Sequence, residues 1–175
     1  QVCAVNSAAV DAGLGATILR EQLSALWRAV EDNPGAVRIV RRRRDLEGLG
    51  SDGAVGLLLA VEGAEPLLAD PELIDEMWDR GVRMVGPCWA SASSVGDGNL
   101  ASPPGAGLTA SGLALIDRLA DRGFIIDLAH ASERSFAQIL SALRPEVPAI
   151  VSHAGCRALW DDHRNLTDGQ LGEIA

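Results

Sequence analysis

Residues 124–132 read FIIDLAHAS, and residues 149–155 read AIVSHAG. Each is an apolar run of strand length that stops on a histidine, His130 in the first and His153 in the second. The chain has three histidines in all, so two at equivalent positions form a pattern that needs a reason. Reading outward, Thr109 suits the N-cap of a helix through Arg122, with Leu113, Ile116 and Leu119 inward and Gly123 as its stop. A strand follows over 124–129, a helix over 132–143, and a strand over 147–152. Strand, helix, strand with continuous apolar strands predicts a parallel sheet buried on both faces.

The same alternation extends back to the N-terminus. Val2–Val10 holds a first strand, Thr17–Val30 a helix, Val37–Val40 a short strand and Ala54–Val61 a longer one. Pro71–Arg80 reads as a helix capped by Asp70 and ended by Gly81, with a strand over Val82–Val85 after it. Ser91–Gly107 is rich in Gly, Pro, Ser and Asn and reads as a long loop, of the kind that is functional or mobile. Thr167 caps a last helix. About five βα units result, in a single domain over 1–175. They fit either a doubly wound sheet or a (β/α)8 barrel, and no GxGxxG follows the first strand to favour dinucleotide binding.

A net charge of −9 argues against nucleic acid as a partner, because phosphate contacts need positive surface. The run Arg41–Arg44 beside Asp45 and Glu47 reads as a solvated face. No apolar run is long enough for a membrane span. Cys3, Cys88 and Cys156 are odd in number and widely spaced, which fits a reducing compartment and a cytoplasmic location.

In parallel α/β folds, functional side chains project from the C-terminal ends of strands. Three strands here end on a metal-capable residue: Glu62, His130 and His153. Histidine and carboxylate are the usual ligands of hydrolytic zinc, so a metal or catalytic site is expected where they converge. Asp127 is read as facing away or orienting a neighbour, and Ser152 beside His153 does not make a triad. His130 and Glu133 have HxxE spacing, but a histidine that ends a strand does not share a helix face with Glu133. Cys156 is expected to be a small buried cysteine, and His163, in a polar stretch, a surface residue.

From Ala60 to Leu171 the segments VEGAEPL, DRGVRMVGP, GLTASGLALIDRLADRGFIIDLAHAS, VPAIVSHAG and RNLTDGQL, in that order, resemble the membrane (renal) dipeptidases. That resemblance implies a (β/α)8 TIM-barrel metallohydrolase, present here as a partial barrel, that hydrolyses dipeptides by metal-activated hydroxide. It implies two zinc ions bridged by Glu62, with His130 and His153 completing the second site and Arg164 binding the substrate carboxylate. It also implies a homodimer.

The departures are equally specific. The family's first zinc site uses a His-x-Asp pair on the first strand, and no His-x-Asp occurs in this sequence. At most one well-formed zinc site is therefore expected from this chain. Trp89 stands at or near the family's substrate-polarising histidine, where it can stack on substrate or close a pocket but cannot polarise a carbonyl. Gln1 stands where an initiator Met would, and the expectation is the central part of a longer enzyme. The alternatives are a degenerate, non-catalytic barrel that acts as a binding protein, and a related amidohydrolase acting on non-peptide amides.

Overall fold

The computed structural model describes residues 1–6, 12–51, 53–103 and 105–175. Its contacts divide the chain into two compact units, Gln1–Val85 and Gly86–Ala175.

The first unit is built on β3 (Val55–Glu62), the longest strand. β1 (Val2–Asn6) lies parallel to its C-terminal half, with Val2 opposite Leu58 and Asn6 opposite Glu62. The first strand expected over Val2–Val10 is thus seen as far as Asn6; positions 7–10 lie outside the described residues. β2 (Val37–Ile39) pairs in parallel with the N-terminal half of β3, and β4 (Val82–Gly86) is a further neighbour. Between them run α1 (Ala12–Glu31), α2 (Glu65–Ala69) and α3 (Leu73–Asp79). Leu19 and Leu23 of α1 pack in one core with Leu59, Leu67, Leu73, Met77 and Met84, all fully buried. Arg20 ties α1 to the helices after β3 through Glu76, at 2.7 Å, and Asp70, at 3.5 Å.

The helix expected over Pro71–Arg80 begins later than its sequence signals suggest. Asp70 spends its Oδ1 on the Glu72 N–H, at 3.2 Å, inside a turn, so the helix starts at Leu73. The run Arg41–Arg44 is exposed as expected; the Asp45 carboxylate accepts the N–H groups of Arg41 and Arg42 and holds a 3-10 turn over Arg43–Leu46.

The second unit holds the parallel pair β5 (Ile125–Asp127) and β6 (Ala149–Ile150), with α4 (Ala110–Arg122), α5 (Glu133–Ala142) and α6 (Asp168–Ile174). Each helix starts on its hydroxyl cap: Thr109 accepts from Gly112 N, Ser132 from Ser135 N and Thr167 from Gln170 N. Gly123 ends α4 at φ 99°, a left-handed conformation that glycine adopts without strain. The core is Leu115, Ile116, Leu119, Phe124, Ile126, Phe136 and Ile139. Leu113 was expected inward but is exposed; the buried face of α4 runs through Gly112, Leu115, Ile116, Leu119 and Ala120. The apolar stripe is broader than one helix face, and packing selects its Leu115 edge.

Among the described residues there are six strands. The β2–β3 connection is a 3-10 turn, and the other five strands each lead into helix, as expected. No helix among the described residues is long and apolar enough to cross a membrane.

Thr109→Ala removes the α4 cap and should cost about 0.5–2 kcal/mol in urea unfolding, whereas Thr109→Ser should be close to neutral.

Candidate metal centre

In the second unit, β5 and β6 pair so that Ile126 faces Ala149 and Asp127 faces Ile150. That register carries the two chains forward side by side, and the residues three beyond each pairing partner are His130 and His153. Their Nε2 atoms lie 3.1 Å apart, with ring centroids 5.0 Å apart and planes inclined at 67°. Arg164 closes on the same point. Its Nη2 lies 3.2 Å from His130 Nε2 and donates to the His153 carbonyl at 3.1 Å, while Nη1 donates to the Ala129 carbonyl. A guanidinium only donates, so His130 Nε2 accepts from it and carries a lone pair.

Trp89 stands beside His130, ring centroids 6.2 Å apart and planes inclined at 51°. It is held there by backbone packing. Gly98 bridges Ala131, and a Cβ on Gly98 would meet the Trp89 carbonyl oxygen at 1.5 Å, so only glycine permits this approach. The 91–107 loop is fastened at many points. The buried Asp97 carboxylate accepts from Gly107 N at 3.0 Å, and the Asp97 carbonyl accepts from Ser132 N at 3.1 Å and Ser135 Oγ at 2.8 Å. Asn99 N donates to the His130 carbonyl at 2.9 Å. Beside Arg164 lies a cavity of about 360 Å3, lined by Asn99, Leu128, Arg157, Arg164 and Leu166 among others. Its volume is in the range of small-molecule sites. The Asn99 side-chain amide lines it with both polar atoms buried and no hydrogen-bond partner among the described residues.

In the first unit, Glu62 is the last residue of β3 and half-buried. Asn6, its partner in the β1 register, donates its side-chain N–H to Glu62 Oε2 at 3.3 Å.

The second unit therefore brings His130, His153, Arg164 and Trp89 together, and Glu62 lies at the C-terminal end of its own strand in the first. Glu133 pairs with Arg157, away from the His130 ring. His163 is exposed, as expected. Cys156 is half-buried rather than buried, because the turn after Gly155 lies near the surface. Sequence reasoning missed Asp97, Gly98 and Asn99; the GDG triplet at 96–98 is the one local signal for them. It left Asp127 between facing away and orienting a neighbour, and gave Ser152 no role beyond excluding a triad.

The donor set suits a divalent metal. Two neutral imidazole nitrogens are borderline-soft donors of the kind zinc takes, and nitrogens on one four-coordinate zinc lie about 3.3 Å apart. The observed separation is 3.1 Å.

The membrane dipeptidase family model (peptidase family M19) matches residues 5–175. The chain belongs to that family. Among similar proteins, an uncharacterized protein in the PQQ-III 3′ region of Acinetobacter calcoaceticus is 34% identical over 79% of this chain and 45% of its own length. Dipeptidase verJ of Clonostachys rogersoniana is 24% identical over 96% of this chain and 43% of its own. Among solved structures, the probable dipeptidase PvdM from Pseudomonas aeruginosa superposes with a TM-score of 0.84 at 29% identity, over 93% of this chain and 42% of that one. A metallo peptidase from Rhodobacter sphaeroides, liganded with a phosphinate mimic of the dipeptide L-Ala-D-Ala, gives 0.85 at 25% identity over 94% and 48%. The chain thus spans about half the length of the relatives it matches. Its fold class is theirs, the (β/α)8 TIM barrel, of which it carries a part.

Asp97→Ala leaves the Gly107 N–H without its acceptor. It should cost about 1–3 kcal/mol in urea unfolding, and amide exchange should speed up at Gly107.

Proposed function

We propose that this chain is part of a zinc-dependent dipeptidase. The observation that carries the reading is the pair of imidazole nitrogens 3.1 Å apart, three residues beyond the ends of two paired parallel strands, in a chain of the membrane dipeptidase family. The dipeptide mimic held by the Rhodobacter relative and the dipeptidase names of others support a dipeptide as substrate. They do not favour the non-catalytic alternative.

In this reading His130 and His153 would hold a metal, the His130 Nε2 lone pair passing to it from Arg164, and Glu62 would supply a carboxylate, as the family resemblance implies. Zinc supplies Lewis acidity there, polarising a carbonyl and generating a nucleophile from water at neutral pH. Arg164, braced by the Ala129 and His153 carbonyls, would meet the substrate's carboxylate as a planar fork. Trp89 covers the substrate and excludes water from the reacting bond. The family resemblance adds a homodimer. The three free cysteines support a reducing compartment such as the cytoplasm.

The test is metal content and dipeptide hydrolysis in the full-length gene product. Zinc should co-purify with the wild type and be lost from His153→Ala, and Glu62→Gln should abolish hydrolysis. Arg164→Lys should raise KM roughly 10–100-fold, the value of a hydrogen bond to a charged group. Wild-type protein that takes up no zinc and cleaves no dipeptide would sink the reading.

A further inference from the structure

Beside the histidine pair, Asp127 and Ser152 form a second arrangement whose hydrogen atoms can be placed by elimination. Asp127 is the last residue of β5 and is 8% exposed. Its Oδ1 accepts the backbone N–H of Ala129 at 3.1 Å and of Ser152 at 3.0 Å. Its Oδ2 accepts the Ser152 hydroxyl at 2.5 Å. A carboxylate has no hydrogen to give, so the single hydroxyl hydrogen of Ser152 points at Asp127. The same Ser152 Oγ lies 2.7 Å from His153 Nδ1. With its hydrogen committed to Asp127, Oγ can only accept from the ring. Nδ1 of His153 therefore bears a proton, which makes Nε2 the nitrogen through which the ring can meet a metal.

We propose that Asp127 and Ser152 are positioning residues for His153: acting in series, they keep its Nδ1 protonated and so leave Nε2, 3.1 Å from His130 Nε2, as the nitrogen that meets a metal. The inference rests on the reading of His153 as a metal ligand only for its consequence, metal affinity. The order of groups is carboxylate, hydroxyl, imidazole. It differs from a hydrolase triad, where the imidazole stands in the middle and activates the hydroxyl. Ser152 here is no nucleophile, because its hydrogen faces the carboxylate and its oxygen accepts from the ring. Outer partners of this kind fix the tautomer and the orientation of ligating histidines.

The geometry predicts a reversal. In Asp127→Asn, the amide oxygen replaces Oδ1, where two backbone N–H groups require an acceptor, and the amide nitrogen replaces Oδ2. That nitrogen donates to Ser152 Oγ, which must turn its hydrogen toward His153 Nδ1 and push the ring proton to Nε2. Imidazole 15N NMR on the metal-free full-length gene product reads this directly. The wild type should show His153 protonated at Nδ1 and Asp127→Asn should show it protonated at Nε2. Ser152→Ala should give a mixture, and Ser152→Thr, which keeps the hydroxyl, should restore the wild-type pattern. Affinity for Zn2+ alone, measured against a chromogenic chelator, should fall about 10–100-fold in Asp127→Asn and Ser152→Ala and recover in Ser152→Thr. A wild-type ring bare at Nδ1, or an Nδ1–H ring unchanged in both Asp127→Asn and Ser152→Ala, overturns the inference even where zinc binding falls. An Nδ1–H wild type that reverses in Asp127→Asn but never binds Zn2+ upholds the positioning role and overturns the metal reading instead.

Discussion

The parallel register of β5 and β6 is the constraint on which the candidate centre depends. Asp127 opposite Ile150 is one pairing, yet it decides three things. It places Ser152 within reach of the Asp127 carboxylate and sets His153 beside His130. It also turns the Ala129 and His153 carbonyls toward the Arg164 guanidinium. A slip of one residue would exchange inward and outward side chains along β6 and carry His153 away from His130. The strands themselves are short, so this register is not held by a long ladder. It is reinforced by the Leu128 N–H to Ile150 carbonyl bond at 2.8 Å and by the buried carboxylate, which accepts from both strands' extensions.

Around this pair the polypeptide spends little regular structure. The described residues of 91–107 have almost no helix or sheet, yet most backbone N–H groups over 93–101 are hydrogen-bonded. Asp97 gathers donors from Gly107, Ser132 and Ser135, and Asn99 takes the His130 carbonyl. Its buried stretch, 95–98 with Gly107, is tolerated only because such groups find partners. The consequence for the centre is direct: the loop that fastens to the start of α5 also fixes the His130 backbone and brings Trp89 beside its ring. The length and composition of this loop suggested function or mobility, and its hydrogen bonds show an anchored wall.

Much of the architecture was legible because local chemistry agreed with it. Thr109, Ser132 and Thr167 cap the helices they precede, and Gly123 stops α4. The strand segments were recognisable from their unbroken apolar runs. Where the reading failed, two local solutions were available and packing chose between them. Leu113 and Leu115 both border the apolar stripe of α4, and the core takes Leu115. Asp70 could cap a helix at Pro71 or close a turn, and it closes the turn. Asp97 looked like one more polar loop residue, since its donors come from residues up to 38 positions away.

By itself the sequence determined the class of fold, the placing of Glu62 at a strand end, and the order of motifs that the family shares. These follow from patterns within a few residues: hydrophobic period, caps, and apolar runs ending in a ligand type. His130 and His153, expected at the ends of strands over 124–129 and 147–152, lie three residues past β5 and β6, which end at Asp127 and Ile150. Only the tertiary structure decided that two histidines 23 residues apart meet nitrogen to nitrogen, and that Arg164 turns onto them. It also decided that Asp127 acts on His153 through Ser152. Each of these depends on strand register and on where a proton lies along a chain of hydrogen bonds. Both are properties of atoms brought together across the fold, which no local stretch of residues encodes.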